Sequence, residues 1–216
     1  MPKKAFSAAE IEANKIKIMD EASRVMANEG IANMSMRKLA DSIGMTAANI
    51  YNYFPNKHEL FLATTERGFE LLNQYVSQAA EGVEHPRERL VKILKCSIEF
   101  TQQWGGYWEL MFHPPISLRG LEGTPYEEID DKMRQQLVQL MMDNFVSINS
   151  YYETHAPGQL DQVPVRAITA LTSVHGMIDL NAHRILEKFN VNTEILIDSF
   201  IDSTVNLLFP EIEEKK

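Results

Sequence analysis

A single cysteine, Cys96, stands among the 216 residues. That excludes a disulfide framework within the chain and any zinc site built on the cysteines of one chain. A reducing compartment is the expected setting. No stretch approaches the ~18 uninterrupted apolar residues that a membrane span requires. The opening residues, Met-Pro-Lys-Lys-Ala-Phe-Ser, lead into charged sequence without the apolar core of a signal peptide. A soluble, cytoplasmic protein with no membrane partner is the expectation. Asn-Gly and Asp-Gly are absent, and no run alternates β-branched residues, so the usual signals of a β-hairpin are missing. There is no phosphate loop and no nucleophile–base motif. Neither an enzyme nor a bound cofactor is expected.

Net positive charge is also missing: the chain carries -9. Its distribution is uneven. Residues 1–57 hold eight Lys/Arg against six Asp/Glu, and the remainder holds 13 against 24. A head at +2 therefore precedes a body at -11. That division suits a small phosphate-facing domain joined to a body that never touches a polyanion.

What is present is helical periodicity almost throughout, and the expected class is all-α. Turn signals cut the chain into about nine helical segments. They cover residues 10–28, 36–43, 47–54, 57–80, 86–103, 107–112, 125–152, 164–189 and 193–209. Gly30 stops the first, Ser35 and Thr46 cap the next two, and Gly44 ends the second. Pro55 closes the third, because proline disfavours helix in the residue before it. Asn56 caps the long fourth helix, with Glu59 as its capping-box partner. Gly105-Gly106, Pro114-Pro115, a loop with Gly120 and Gly123, and Pro157-Gly158 are read as breaks. The domain boundary is expected after Lys57, giving a head of residues 1–57 and a body of 58–216.

Two short helices joined by Ile43-Gly44-Met45-Thr46 have the spacing of a helix-turn-helix, with Gly44 free to take a positive φ. Leu39, Ala40, Ile43, Ile50 and Phe54 would hold the second helix in place. Its other face carries Thr46, Ala47, Ala48, Asn49, Asn52 and Tyr53, without an acid. Such a face can enter a DNA major groove. Asn49 and Asn52 can pair with adenine, and Ala47 and Ala48 permit close approach to a thymine methyl. Ser35 and Thr46 as caps, and Tyr51 and Tyr53, can meet phosphate oxygens. Arg37 and Lys57, with the lysines at 3, 4, 15 and 17, are the counter-ions. From spacing alone, a short packing helix is the somewhat favoured alternative.

The order Ile18, Ala22, Gly30, Met34-Ser35-Met36-Arg37-Lys38-Leu39-Ala40, Gly44-Met45-Thr46 and Ile50-Tyr51-Asn52-Tyr53-Phe54-Pro55-Asn56-Lys57-His58-Glu59-Leu60 resembles the N-terminal domain of the TetR (tetracycline-repressor-like) family. The Tyr-x-x-Phe-x-x-Lys core is the most specific part. Ala48 stands where the family often has Gly, and Ala47 and Asn52 where it often has basic residues. The resemblance implies a transcriptional regulator, usually a repressor, that binds double-stranded operator DNA as a homodimer and answers to a small-molecule effector.

In the body, Trp104, Tyr107, Trp108, Met111, Phe112 and His113 form an aromatic segment that, with His175, is the expected effector pocket. An ordinary core cluster is the alternative of equal weight. Ile168, Leu171, Ile178 and Ile185 on one helix, and Ile197, Ile201 and Leu208 on the last, are expected at a dimer interface. His175, Asp179 and His183 fall at i, i+4 and i+8, drifting about 80° round a helix. A metal is compatible with that spacing, but a buried His175 with solvated partners is preferred, and no metal is expected. Cys96 is read as a core residue.

Overall fold

The computed structural model describes residues 7–30, 33–113 and 127–210. The expectations placed on Lys3, Lys4, Pro114-Pro115 and the Gly120/Gly123 loop lie outside them. Among the described residues there are eight α-helices, two short 3-10 segments and no strand.

Helix α1 (Ala8–Glu29) opens on a reciprocal cap. The Ser7 hydroxyl accepts from the Glu10 amide at 3.3 Å, and the Glu10 carboxylate accepts from the Ser7 amide at 2.7 Å. Two donors that a helix start leaves without intrahelical partners are thereby satisfied. The spacing of three and four buries Ile18, Met19, Ala22, Ser23 and Met26. Gly30, at φ 76, ends the helix. Next come α2 (Met36–Ser42), α3 (Ala47–Tyr53) and α4 (Lys57–Ala80). The expected Asn56 cap is present: its Oδ1 accepts from the amides of His58 at 2.9 Å and Glu59 at 3.0 Å.

Helix α5 (Pro86–Phe112) joins two segments read as separate from Gly105-Gly106. A single non-helical residue, Trp104 (φ -124, ψ 33), kinks it. Two glycines cost a helix about 1 kcal/mol each. Burial of Tyr107, Trp108, Leu110 and Met111 beyond the kink outweighs that, at about 1.5–3 kcal/mol per large apolar side chain.

Helices α6 (Glu127–His155), α7 (Val163–Ala182) and α8 (Thr193–Leu208) follow. The loop expected at Pro157-Gly158 is a 3-10 segment, Pro157–Gln162. Helix α7 stops at Ala182 rather than continuing to 189. Arg184 takes φ 56, its amide reaches the Asn181 carbonyl at 3.0 Å, and the Ile185 amide reaches the Leu180 carbonyl at 2.9 Å. This is the double bond of a Schellman ending, usually marked by glycine. Without a glycine there, the sequence gives no stop signal.

The chain forms two compact units. The first takes residues 1–71 and 104–136, and the second takes 72–103 and 137–216. The boundary expected after Lys57 thus falls inside the first unit, because the early turns of α4 pack there. The first unit buries Ile18, Met26, Met34, Leu39, Ile50, Leu60, Phe61 and Tyr107. The second buries Phe100, Tyr152, Val163, Ile178, Ile201, Val205 and Phe209. In the second unit, the C-terminal end of α8 is held by two arginines. Arg87 donates to the Phe209 carbonyl, and Arg166 donates to the Leu207 carbonyl at 3.3 Å. Cations suit a helix C-terminus.

Candidate nucleic-acid interface

Helices α2 and α3 have seven residues each, too few to persist in isolation. Local hydrogen bonds shape their ends. The Ser35 hydroxyl accepts from the Lys38 amide at 3.4 Å. Gly44 takes φ 70, with its amide on the Asp41 carbonyl and the Met45 amide on the Ala40 carbonyl at 2.8 Å. That is a Schellman turn with glycine in the left-handed position. The Thr46 hydroxyl then accepts from the Asn49 amide at 3.2 Å. Phe54 is extended (φ -135, ψ 102), as the following Pro55 requires.

Leu39, Ala40, Ile50 and Phe54 are buried as expected. Ile43 is only half-buried, and Met34 and Met36 join the core instead. Thr46, Ala48, Tyr51 and Asn52 are exposed, while Ala47, Asn49 and Tyr53 are half-buried. Helix α3 carries no charged side chain. Arg37 is exposed, and Ser35 and Lys57 are half-buried.

Sequence reasoning missed two contacts from α1. Asn14 Nδ2 donates to Tyr53 Oη at 2.9 Å, and Lys17 Nζ donates to the Ile43 carbonyl at 2.6 Å. Residues 39 and 26 positions apart leave no joint mark in a linear pattern.

The aromatic segment belongs to the first unit. Trp104 and Tyr107 meet edge to face at 5.9 Å, Trp108 and Phe112 lie 4.1 Å apart, and Phe69 of α4 meets Phe112 at 6.0 Å. Tyr107 is fully buried. Its hydroxyl donates to Asp20 Oδ1 at 2.6 Å and accepts from Arg67 Nε at 3.1 Å. Burial, then the Asp20 carboxylate, pushes its pKa well above the ordinary phenol value. Met111 is buried against Gly68, and His113 is exposed with Nδ1 3.5 Å from Glu109. His175, half-buried, belongs to the second unit.

Among the described residues, no cluster of three His, Cys, Asp or Glu is placed to hold a metal ion. His183 stands just past the last residue of α7, so the expected i, i+4, i+8 series outruns its helix. Cys96 is buried, and burial pushes its thiol pKa up.

Of the residues read as a dimer seam, Ile178, Ile201 and Leu208 are buried within this one chain. They are core, since a side chain already covered has little left to offer a partner. Leu171 and Ile197 are half-buried. Ile168 is 63% exposed and Ile185 36%. Val165 and Ile195, at 67% and 68%, are large exposed apolar residues that the periodicity did not single out.

A capped, seven-residue helix with an uncharged outer face, held by a glycine turn against a second short helix, defines a helix-turn-helix DNA-binding protein. Residues 18–64 match the family model described as bacterial regulatory proteins, tetR family. The HTH-type transcriptional regulator LuxR of Vibrio harveyi is 24% identical over 146 residues, covering 68% of this chain and 71% of LuxR. An uncharacterized HTH-type transcriptional regulator of Haemophilus influenzae and the nucleoid occlusion factor SlmA of Glaesserella parasuis match over about half of their own length, 51% and 53%. A TetR-like transcriptional regulator from Rhodococcus sp. RHA1 superposes with a TM-score of 0.67 at 16% identity, over 98% of this chain and all of the other. AibR, solved in complex with isovaleryl coenzyme A and operator DNA, gives 0.66 at 21% identity, over 91% of this chain and 98% of its own. Residues 18–64 thus carry a DNA-binding domain of the tetR type, and the chain as a whole has the fold of tetR-like regulators. No helix among the described residues is long and apolar enough to cross a membrane.

Proposed function

We propose that this regulator is a homodimeric repressor. It reads a palindromic operator through two copies of α3 and is released by a small-molecule effector. In functional terms, residues 1–57 read DNA, and residues 58–216 bind the effector and the second copy. The observation that carries the DNA part is the outer face of α3. It is small, free of acids, and fixed at its start by the Thr46 cap. Asn49 and Asn52 offer the paired donor and acceptor that the major-groove edge of adenine takes. Ala47 and Ala48 let the backbone come close. Ser35, Thr46, Tyr51 and Tyr53 supply neutral phosphate contacts, with Arg37 and Lys57 as counter-ions.

The dimer is supported by Val165 and Ile168 of α7 and Ile195 of α8, apolar side chains about two-thirds exposed on one chain. A second copy that covers them places two reading helices on successive half-sites. The effector is supported by the adaptable aromatic and Met segment 104–113 and by the acyl-CoA ligand of AibR. The segment packs against α1 and α4, so a ligand that favours one of its arrangements couples to the DNA-reading head.

The test starts from a duplex selected by the chain from a randomised pool. Asn49→Ala is expected to cost ~1–3 kcal/mol at one base pair and to relax preference there. Unchanged affinity and unchanged preference would remove Asn49 from the reading role.

A further inference from the structure

Helix α1 carries a polar stripe, Asn14, Lys17 and Glu21, at the three-and-four spacing of one helix face. It flanks the apolar stripe of Ile18 and Ala22. The stripe addresses the helix-turn-helix at its turn and at its far end. Lys17 Nζ donates to the carbonyl of Ile43, the C-cap of α2, at 2.6 Å. Asn14 Nδ2 donates to the hydroxyl of Tyr53, the last residue of α3, at 2.9 Å. Glu21 is held below its usual carboxylate range by Arg24 and, more weakly, by the Ser42 hydroxyl at the end of α2.

Apolar burial gives α3 its depth but is non-directional, so it sets neither axial position nor rotation sharply. Hydrogen bonds do, because they weaken steeply with angle. The bond at Tyr53 has a further consequence. A tyrosine hydroxyl donates once and accepts, and conjugation keeps its hydrogen in the ring plane. With Asn14 donating from one side, that hydrogen is turned to the other side, away from α1. At Lys17, the ammonium is committed to a carbonyl at a helix C-terminus, a favoured place for a cation.

We propose that Asn14 and Lys17 are positioning residues of the DNA-reading unit: Asn14 aims the Tyr53 hydroxyl hydrogen at a phosphate oxygen, and Lys17 pins the turn before α3 through the Ile43 carbonyl instead of serving as a phosphate counter-ion. This rests on α3 being the DNA-facing helix.

The experiment uses the full chain and the duplex that the wild type selects from a randomised pool. Affinity is measured across a salt series for Asn14→Ala, Tyr53→Phe, their combination and Lys17→Met, with thermal melting of each. Asn14→Ala and Tyr53→Phe should each weaken binding about tenfold, the scale of one net hydrogen bond. The double variant should be no weaker than the weaker single, since both remove the same phosphate bond. Lys17→Met should lose affinity with its salt slope unchanged. Melting temperatures should stay near wild type.

Multiplying losses in the double variant, or no loss in Asn14→Ala, overturns the role of Asn14. A salt slope reduced by about one in Lys17→Met restores that lysine as a counter-ion. Losses that track a lowered melting temperature, and are equal on random-sequence duplex, overturn both roles in favour of plain structural ones. Failure of the wild type to enrich any duplex overturns the DNA-reading assignment itself, and this proposal with it.

Discussion

Arg184 sits in the left-handed region at φ 56, where a side chain costs roughly 1–2 kcal/mol. Its ion pair with Glu187 at 2.8 Å is exposed and offsets little of that cost. Arg184→Gly should therefore stabilise the chain by about 0.5–1 kcal/mol, read as a higher urea midpoint with an unchanged slope. A lower midpoint would show that the Arg184 side chain contributes more than its backbone costs. Gly44, at φ 70, is the matching case in which the sequence already holds the residue that the turn requires. Tyr107 shows another residue-scale compromise. Its hydroxyl is buried but bonded on both sides by Asp20 and Arg67, which removes the penalty of an unsatisfied buried polar group.

Among the elements, the last turns of α5 are the ones whose packing depends most on what glycine lacks. A Cβ on Gly106 would lie 2.9 Å from the backbone carbon and oxygen of Ser23 in α1. A Cβ on Gly68 of α4 would lie 2.7 Å from the Met111 sulfur. The first neighbour is backbone and cannot step aside, whereas the second is the far end of a flexible side chain. Gly106→Ala should cost ~1–3 kcal/mol, and Gly68→Ala distinctly less. Denaturant midpoints of the two variants check the order, and a reversed order would mean that α1 yields at Ser23. The same contacts explain why Gly105-Gly106, read as a break, lies inside a kinked helix: one glycine is there for close approach.

For the whole molecule, the informative surface is apolar. Val165, Ile168 and Ile195 are each more than 60% exposed, apolar area that the proposed second copy would cover. Ile168→Glu combined with Ile195→Glu should convert the proposed dimer to a monomer in light scattering. It should also abolish tight binding to a two-half-site duplex, where linked half-sites supply the avidity, while leaving weak half-site binding. A double variant that remains dimeric would place the interface elsewhere.

The sequence by itself determined whatever depends on residues within about five positions of one another. The caps at Ser35, Thr46 and Asn56, the Gly44 turn and the Pro55 stop all appear in the structure as read. Their hydrogen bonds are local, and they sufficed to outline the DNA-reading unit. Only the tertiary structure decided that Asn14 meets Tyr53, 39 residues away, and that Tyr107 meets Asp20, 87 away. It alone placed segment 104–112 with α1 and α4. It also separated Ile178, Ile201 and Leu208, which are core, from Val165, Ile168 and Ile195, which are exposed. The reason is physical. Periodicity states that a helix has an apolar face, but the neighbour that covers that face is chosen by packing among elements distant in the chain.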